Sequence, residues 1–341
     1  MVVAQSMQPS TTAAPPLVVD CSPDHAGMVL RVAGMSVLER ILREAARRDV
    51  TKAVLVGNAA DLPALPKLAL DVEVIAPADA TALPDAATRV EGDVLLDTKV
   101  TKANRRTVEW QMLQTCRRPY DGPTDKYILR SISLRITRVL TLFPISPNMV
   151  TFCAMLMGAA AVVLLAMGTV TGVAIAGGLM FTNVIFDSID GELSRVRHMG
   201  SKLGMWLDGL SDDIIDNALV AGMGIGIGGI WMYIGIAAAL GRAFSAFVTQ
   251  MGAAAAGYPG DPMAFRWWFE TEGASAEEAY DDKLTLLGAL RSLGRRDTYM
   301  FIFAVACVAT FPQVAFGLGV MNCTVYFALA CVHLIARRGR W

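Results

Sequence analysis

Six long apolar stretches in the second part of the chain limit its fold more than any other feature. Each has roughly the 18–25 residues that a helix needs to cross a bilayer. They are Met149–Met167, Val170–Ile189, Leu203–Ile225, Gly229–Val248, Thr298–Phe316 and Leu318–Ile335. Up to about Phe143 the chain is instead charged and interrupted by proline, although its mean hydropathy over 341 residues is +0.45. The pattern predicts a soluble N-terminal part followed by an integral membrane part with six transmembrane helices.

The basic residues near these stretches predict their orientation. The connections GTVTG, MGIGIGG and PQVAFGLG contain no Lys or Arg, whereas the alternate connections and the C-terminus do. These basic residues are Arg195, Arg197, Lys202, Arg291, Arg295, Arg296, Arg337, Arg338 and Arg340. Six spans then place both termini on the cytosolic side of the inner membrane. The first stretch is preceded by Ser146 and Pro147, which suit the cap and the first turn of a helix.

Four aspartates occupy paired positions at the cytosolic ends of the second and third stretches. Asp187 and Asp190 are three residues apart, and Asp208 and Asp212 are four apart, so each pair lies on one helix face. The short connection 191–202 predicts antiparallel neighbours whose four carboxylates converge. Such carboxylates would repel one another and become protonated unless a cation held them, and all-oxygen donors suit Mg²⁺ or Mn²⁺. The alternative interpretation is a set of solvated carboxylates paired with nearby basic residues.

Small and basic residues near the aspartates suggest that a phosphate approaches them. Gly191 follows Asp190, and Gly204 lies one turn before Asp208, so neither position presents a side chain to a bulky ligand. Arg195 can bind a phosphate through two parallel hydrogen bonds. Tight helix packing is the alternative role for such glycines.

The arrangement resembles the signature of the CDP-alcohol phosphotransferases, D-x-x-D-G-x-x-A-R-x8-G-x-x-x-D-x-x-x-D. Seven of its eight fixed positions match, and Ser194 replaces the usual Ala. SPNMVT at residues 146–151 and GRRD at residues 294–297 are also similar to family segments. The resemblance implies six helices around a cavity open to the cytosol, and transfer of a phosphoalcohol group from a CDP-linked donor to an acceptor hydroxyl with release of CMP.

The resemblance also assigns roles to individual residues. It implies that two divalent metal ions are bound by four aspartates, namely Asp187, Asp190, Asp208 and Asp212. Asp212 is in addition the candidate base. The residues expected at the CDP phosphates are Gly191, Ser194, Arg195 and Gly204.

The first 100 residues alternate strand and helix patterns, which predicts a small cytosolic parallel α/β domain. The segments are PLVVD, SVLERILREAARR, KAVLVG, DVEVIAPA and GDVLLD. The region resembles a sugar-nucleotidyltransferase, but LVVD is followed by CSPDHAGM and not by a Gly-rich phosphate loop. We therefore expect this degenerate domain to be catalytically inactive.

Residues 101–145 are predicted to be a linker with an amphipathic helix within Asp125–Phe143, and residues 146–341 the membrane domain. The helix suits the cytosolic membrane interface, and an amphipathic linker helix packed on the first domain is the alternative. Basic residues that can contact a phosphorylated acceptor are Arg135, Arg138 and Arg296.

This domain order is similar to that of inositol-phosphate cytidylyltransferase/di-inositol-phosphate synthase fusions, and the membrane part to phosphatidylinositol-phosphate synthases. The resemblance implies CDP-diacylglycerol or a CDP-polyol as donor, and inositol phosphate or another polyol as acceptor. We further expect contact with membrane lipids, a homodimer and no nucleic-acid partner. Two other classes stay open: a cytidylyltransferase whose membrane part is an anchor, and an ion-coupled transporter, because intramembrane carboxylates also mark transporters.

Overall fold

The computed structural model describes residues 16–257, apart from 64, 66, 67, 69, 83–86, 119 and 120, together with residues 265–268 and 295–336. Four of the basic residues used to predict the orientation lie outside this part of the chain, namely Arg291, Arg337, Arg338 and Arg340. Gly294, the first residue of the GRRD segment, also lies outside it. The chain forms two compact units. The first contains the described residues up to 116, with Arg138–Pro144 and Leu193–Met199. The second contains Arg117–Thr137, Ile145–Glu192 and the described residues from 200 onward.

The first unit is built on a four-stranded parallel sheet in the order β5-β4-β1-β6. Its strands are β1 (Leu17–Asp20), β4 (Lys52–Val56), β5 (Asp71–Ile75) and β6 (Thr88–Glu91). Helix α1 (Val37–Arg47) begins at Ser36, whose hydroxyl accepts a hydrogen bond from the Glu39 backbone N–H. The buried side chains of β1, α1 and β4 form one apolar core. The predicted α/β region is therefore present.

Short elements complete the first unit. They are the 3₁₀ helices Pro23–Val29, Ala59–Asp61 and Pro77–Ala82, the hairpin β2 (Arg31–Val32) with β3 (Met35–Ser36), the hairpin β7 (Val94–Leu95) with β8 (Thr98–Lys99), and helix α2 (Arg105–Gln114). Only part of the strand predicted over GDVLLD is present, because the parallel strand ends at Glu91 and Val94–Leu95 forms the short β7 of an antiparallel hairpin. Leu96 and Asp97 both have positive φ values, which turn the chain back into the hairpin.

Two arginines, the buried Arg40 and the half-buried Arg197, bind backbone carbonyl groups of the first unit. The Arg40 guanidinium donates to the Val196 carbonyl oxygen at 2.5 Å and to the Val32 carbonyl oxygen at 3.0 Å. Burial lowers the pKa of Arg40 to about 10. Arg197 donates to the carbonyl oxygens of Thr141 and Phe143. These bonds satisfy backbone carbonyl groups at the end of the helix Val170–Val196 and in the turn after the helix Arg130–Leu140, where helical hydrogen bonds are missing.

The second unit is a helical bundle. Its described helices are α3 (Arg130–Leu140, preceded by a π turn at Asp125–Leu129), α4 (Pro147–Ala166), α5 (Val170–Val196), α6 (Lys202–Ile227), α7 (Ile230–Ala255), α8 (Arg296–Val308) and α9 (Pro312–Ala336). The last residues of α3 and α5 belong to the first unit. Ser146 caps α4 as predicted, since its hydroxyl accepts from the Met149 N–H with Pro147 in the first turn. Ser201 caps α6 in the same way.

Four of the described helices are long and apolar enough to cross a membrane: α4, α5, α7 and α9. Helix α6 has 26 residues but carries several aspartates, and α8 has only 13, a length of about 20 Å. The prediction of exactly six spans therefore stays a prediction. The predicted boundary between the fifth and sixth spans was wrong. Thr310 has a positive φ, and Pro312 starts α9, because proline suits a first helical turn and not a helix interior.

A buried carboxylate fastens α3 to α5 within the second unit. Glu192 is fully buried and accepts hydrogen bonds from Arg130 at 2.9 Å and from the hydroxyls of Ser133 and Thr137 at 2.6 Å each. Arg130 also pairs with Asp121 through two hydrogen bonds. Every charge in the group therefore has a partner, as a buried ion pair requires.

We expect Glu192→Ala to destabilise the protein by about 3–5 kcal/mol, because it removes one of the two carboxylate partners of buried Arg130 and the acceptor of two buried hydroxyls. Glu192→Gln should cost less, since it keeps one acceptor oxygen. Thermal unfolding of the detergent-purified protein measures both, with the exposed Arg135→Ala as control. Equal unfolding midpoints for Glu192→Ala and the control would refute this role for the network.

Candidate active site

Three of the four predicted aspartates meet in one place. Asp187 on α5 and Asp208 and Asp212 on α6 each offer a carboxylate oxygen, and these oxygens lie within 4.8 Å of one another. All three residues are half-buried. The spacing of four on α6 puts Asp208 and Asp212 on one face, so both reach the same point as Asp187. Among the described residues of the second unit, no other group brings three potential metal ligands so close together.

Asp190 occupies a more enclosed position than the other three aspartates. It is buried, and its Oδ2 accepts a hydrogen bond from the Thr151 hydroxyl at 2.6 Å. Thr151 is the last residue of the SPNMVT segment and lies on α4. The hydrogen bond therefore orients the carboxylate from a neighbouring helix, and Asp190 is not one of the three residues whose oxygens lie within 4.8 Å of one another.

Arg296 lies among the carboxylates. Its guanidinium is 3.1 Å from Asp187 Oδ2, 2.8 Å from Asp212 Oδ1 and 3.0 Å from Asp216 Oδ2. Its predicted role was contact with an acceptor, and the geometry adds direct pairing with two candidate metal ligands. One cation can thereby offset part of the repulsion among neighbouring acidic groups.

Sequence reasoning missed the residues that orient Arg296. The Tyr299 hydroxyl donates to Asp216 Oδ2 at 2.6 Å, and Arg296 donates to both oxygens of Asp216. Asp216, one turn after Asp212 on α6, therefore fixes the arginine beside the cluster. Tyr299 is three residues after Arg296 on α8, so the helical spacing is the one signal that pointed to it.

A small polar cavity lies next to this network. Its volume is about 10 Å³, enough for roughly one water molecule. The polar residues lining it are Asp216, Asn217, Arg242, Tyr299 and Asn322. The Arg242 guanidinium also lies 4.2 Å from the centre of the Tyr326 ring. Polar side chains therefore extend along α6 beyond the three clustered aspartates.

The remaining predicted residues occupy varied positions. Gly204 lies in the first turn of α6, where its N–H donates to Ser201, and Gly191 lies directly after Asp190 on α5. Ser194 and Arg195 lie in the last turns of α5, which belong to the first unit. Arg135 is exposed and donates to the Ser131 carbonyl oxygen. Arg138 belongs to the first unit and pairs with Glu109 at 3.3 Å.

An acidic residue outside the spans also lies in the second unit. Asp125 precedes α3, and its backbone N–H donates to Asp297 Oδ2 at 3.4 Å. Burial, and then the negative charge of Asp297, raises the pKa of Asp125 from its ordinary value near 3.8 to about 7. The folded protein therefore favours the protonated form of this carboxyl group.

Comparison with known proteins assigns the bundle. Residues 144–332, more than half of the chain, match the family model described as CDP-alcohol phosphatidyltransferase. The chain belongs to the CDP-alcohol phosphatidyltransferase family. The match confirms the family predicted from the aspartate motif. A CDP-alcohol phosphatidyltransferase is a transferase enzyme, and the four apolar helices agree with a membrane location.

Two relatives carry the name "Bifunctional IPC transferase and DIPP synthase". The protein from Thermococcus kodakarensis is 29% identical over 185 residues, which are 53% of this chain and 36% of that protein. The protein from Aquifex aeolicus is 25% identical over 188 residues, 54% of this chain and 37% of that protein. The matches thus span little more than a third of each relative, and they agree with the predicted resemblance to such fusions.

The donor set of the cluster fits the divalent cations on which the family generally depends. Asp187, Asp208 and Asp212 offer only carboxylate oxygens, which Mg²⁺ and Mn²⁺ accept as ligands. Their partial exposure leaves room for ligands from water or from a phosphate. An acidic site of this composition is consistent with the family's chemistry.

The raised pKa of Asp125 leads to a pH-dependent prediction. The ionised carboxylate is disfavoured in the folded state, so its cost is complete above pH 7 and diminishes as the pH falls towards 4. Asp125→Asn should therefore raise the midpoint of thermal unfolding by several degrees more at pH 8 than at pH 5. The exposed Asp61→Asn is the matched control. The same gain at both pH values would contradict the assignment.

Proposed function

We propose that this CDP-alcohol phosphatidyltransferase uses two divalent cations, Mg²⁺ or Mn²⁺, held by Asp187, Asp190, Asp208 and Asp212. The observation that carries the proposal is the meeting of three of these carboxylates within 4.8 Å. Without cations, so many neighbouring carboxylates would favour protonation over ligand binding. Bound metal ions would polarise the donor's pyrophosphate and offset the charge that develops on the leaving group.

The proposed reaction needs no protein nucleophile. The acceptor hydroxyl oxygen attacks the phosphorus that carries the donor's alcohol, and the bond from that phosphorus to the CMP oxygen breaks. Asp212 takes the proton of the attacking hydroxyl, and CMP leaves with the bonding electrons. The ion pair with Arg296 orients Asp212 for this role. Gly191, Ser194, Arg195 and Gly204 are proposed to contact the CDP phosphates.

For the substrates we propose a CDP-polyol or CDP-diacylglycerol as donor and inositol phosphate or another polyol as acceptor. The support is the name of the two relatives and the resemblance to fusions with an N-terminal nucleotidyltransferase-like domain. Arg135, Arg138 and Arg296 are candidates for binding an acceptor phosphate, which guanidinium groups recognise well. The distribution of basic residues supports an active site and both termini on the cytosolic side of the inner membrane. We also propose that the enzyme is a homodimer.

We expect CMP release from a CDP-alcohol only when Mg²⁺ or Mn²⁺ is present, because the carboxylate cluster needs cations to bind the donor. The experiment incubates detergent-purified enzyme with CDP-diacylglycerol or CDP-inositol and a panel of polyol acceptors, and identifies the products by mass spectrometry. Excess EDTA followed by restored Mg²⁺ is the control for irreversible damage. Full activity in EDTA would end the two-metal proposal.

Substitution of each aspartate should distinguish the metal ligands from the base. Asp187→Asn, Asp190→Asn and Asp208→Asn should weaken metal-dependent donor binding and lower turnover by about 10³-fold, or about 4 kcal/mol. Asp212→Asn should lower turnover as strongly while keeping more of the donor affinity, because it removes the base. Calorimetric donor affinity and turnover are measured for each variant at saturating metal.

The matched control for these four variants is Asp213→Asn, which changes a neighbouring aspartate on α6 outside the cluster. It should keep both donor affinity and turnover. If Asp212→Asn lost donor affinity as completely as Asp187→Asn, or kept normal turnover, Asp212 would not be the base.

A further inference from the structure

A second group of potential metal ligands lies in the first unit, apart from the aspartate motif. His25 Nδ1 lies 2.8 Å from Asp93 Oδ1 and 3.9 Å from Glu91 Oε2. The three residues offer ligand atoms within 4.8 Å of one another. Neighbouring ligands of one ion, each roughly 2.0–2.2 Å from it, are separated by distances of this order. The reaction proposed above uses none of these residues.

The fold places this group where a parallel sheet can bind a ligand. The chain runs from β1 to β4 and β5 on one side, and then returns to pair β6 with the other side of β1. Asp20 and Glu91 are the last residues of β1 and β6. The carboxyl ends of two such strands, where the strand order reverses, form the crevice in which open parallel sheets bind ligands.

Asp93 is the buried carboxylate of this group. Its side chain is 1% exposed, and its Oδ2 receives no hydrogen bond from any described residue. The Lys99 ammonium, itself half-exposed, lies 3.5 Å from that oxygen as an ion-pair partner. Lys99 offsets part of the charge but donates no hydrogen bond to Oδ2, so this buried oxygen still lacks a directly bonded partner, which a cation could supply.

The helix that carries His25 approaches Asp93 closely because residue 27 is glycine. A Cβ atom on Gly27 would lie 2.8 Å from the Asp93 Cβ. The opposite ring nitrogen of His25, Nε2, faces Asp20 Oδ2 at 3.6 Å. A metal-bound imidazole commonly directs its other N–H towards a carboxylate, and Asp20 lies on that side of the ring, slightly beyond hydrogen-bond distance.

We propose that His25, Glu91 and Asp93 bind a divalent transition-metal ion, such as Mn²⁺ or Zn²⁺, with Asp20 orienting the imidazole. One imidazole nitrogen and carboxylate oxygens favour such ions over Mg²⁺, which prefers oxygen ligands alone. The exposed carboxylate of Glu91 leaves the outer side of the ion open to water or another ligand. The competing explanation is a hydrogen bond from His25 Nδ1–H to Asp93 without any metal.

The imidazole gives this site a signature that the aspartate cluster lacks. Full-length enzyme in detergent is loaded with Mn²⁺ and examined by pulsed electron paramagnetic resonance for ¹⁴N coupling. The chain has three histidines, so two serve as matched controls. The coupling should be present in the unmodified protein, disappear in His25→Gln, and persist in His198→Gln and His333→Gln. Absence of the coupling at saturating Mn²⁺, or its persistence in His25→Gln, would overturn the proposal.

Glu91→Gln is a second variant that tests the site even if His25→Gln fails to fold. Glu91 is exposed, so its substitution should leave the thermal unfolding midpoint of metal-free protein unchanged. Loss of a ligand should weaken the nitrogen-coupled Mn²⁺ affinity at least about tenfold, the smaller effect seen for lost outer-shell partners. Titration with Mn²⁺, followed by competition with Zn²⁺, measures this affinity. An unchanged affinity in Glu91→Gln would exclude Glu91 as a ligand and contradict the three-ligand site.

Discussion

Repulsion among carboxylates is the constraint on which the helical unit depends. Asp187, Asp208 and Asp212 come from two helices and meet within 4.8 Å, so the fold must supply positive charge at that point. Arg296 supplies part of it, because its guanidinium contacts Asp187 and Asp212 directly. A single cation cannot balance three or four carboxylates. The negative charge that remains is the physical reason why divalent cations suit this site.

Hydrogen bonds from neighbouring helices keep the acidic residues in place. Thr151 on α4 fixes Asp190, whereas Asp216 and Tyr299 fix Arg296. Two residues after Asp190, Glu192 is held by Arg130, Ser133 and Thr137 of α3. The aspartates therefore lie on helices whose flanking residues are anchored, and such support limits the movement of catalytic groups.

The sequence predicted features that depend on local spacing, and it failed where long-range packing decides. Intervals of three and four placed the aspartates on helix faces, and Ser146 with Pro147 marked the start of α4 correctly. Hydropathy alone could not locate the break before Pro312, because the residues on both sides are equally apolar. Tyr299 and Asp216 likewise carry no motif, since their hydrogen bond joins two helices, α6 and α8, that are far apart in the sequence.

The two candidate metal sites among the described residues differ in the donors that they offer. The aspartate cluster contains only oxygen, whereas the group at the ends of β1 and β6 adds the His25 nitrogen. Oxygen-only donors accept Mg²⁺ readily, and an imidazole shifts preference towards Mn²⁺ or Zn²⁺. Because Mn²⁺ suits both donor sets, it can bind at both sites at once, while Mg²⁺ would be confined to the aspartates. The metal that supports catalysis at the aspartates therefore does not identify the metal that binds at His25, Glu91 and Asp93.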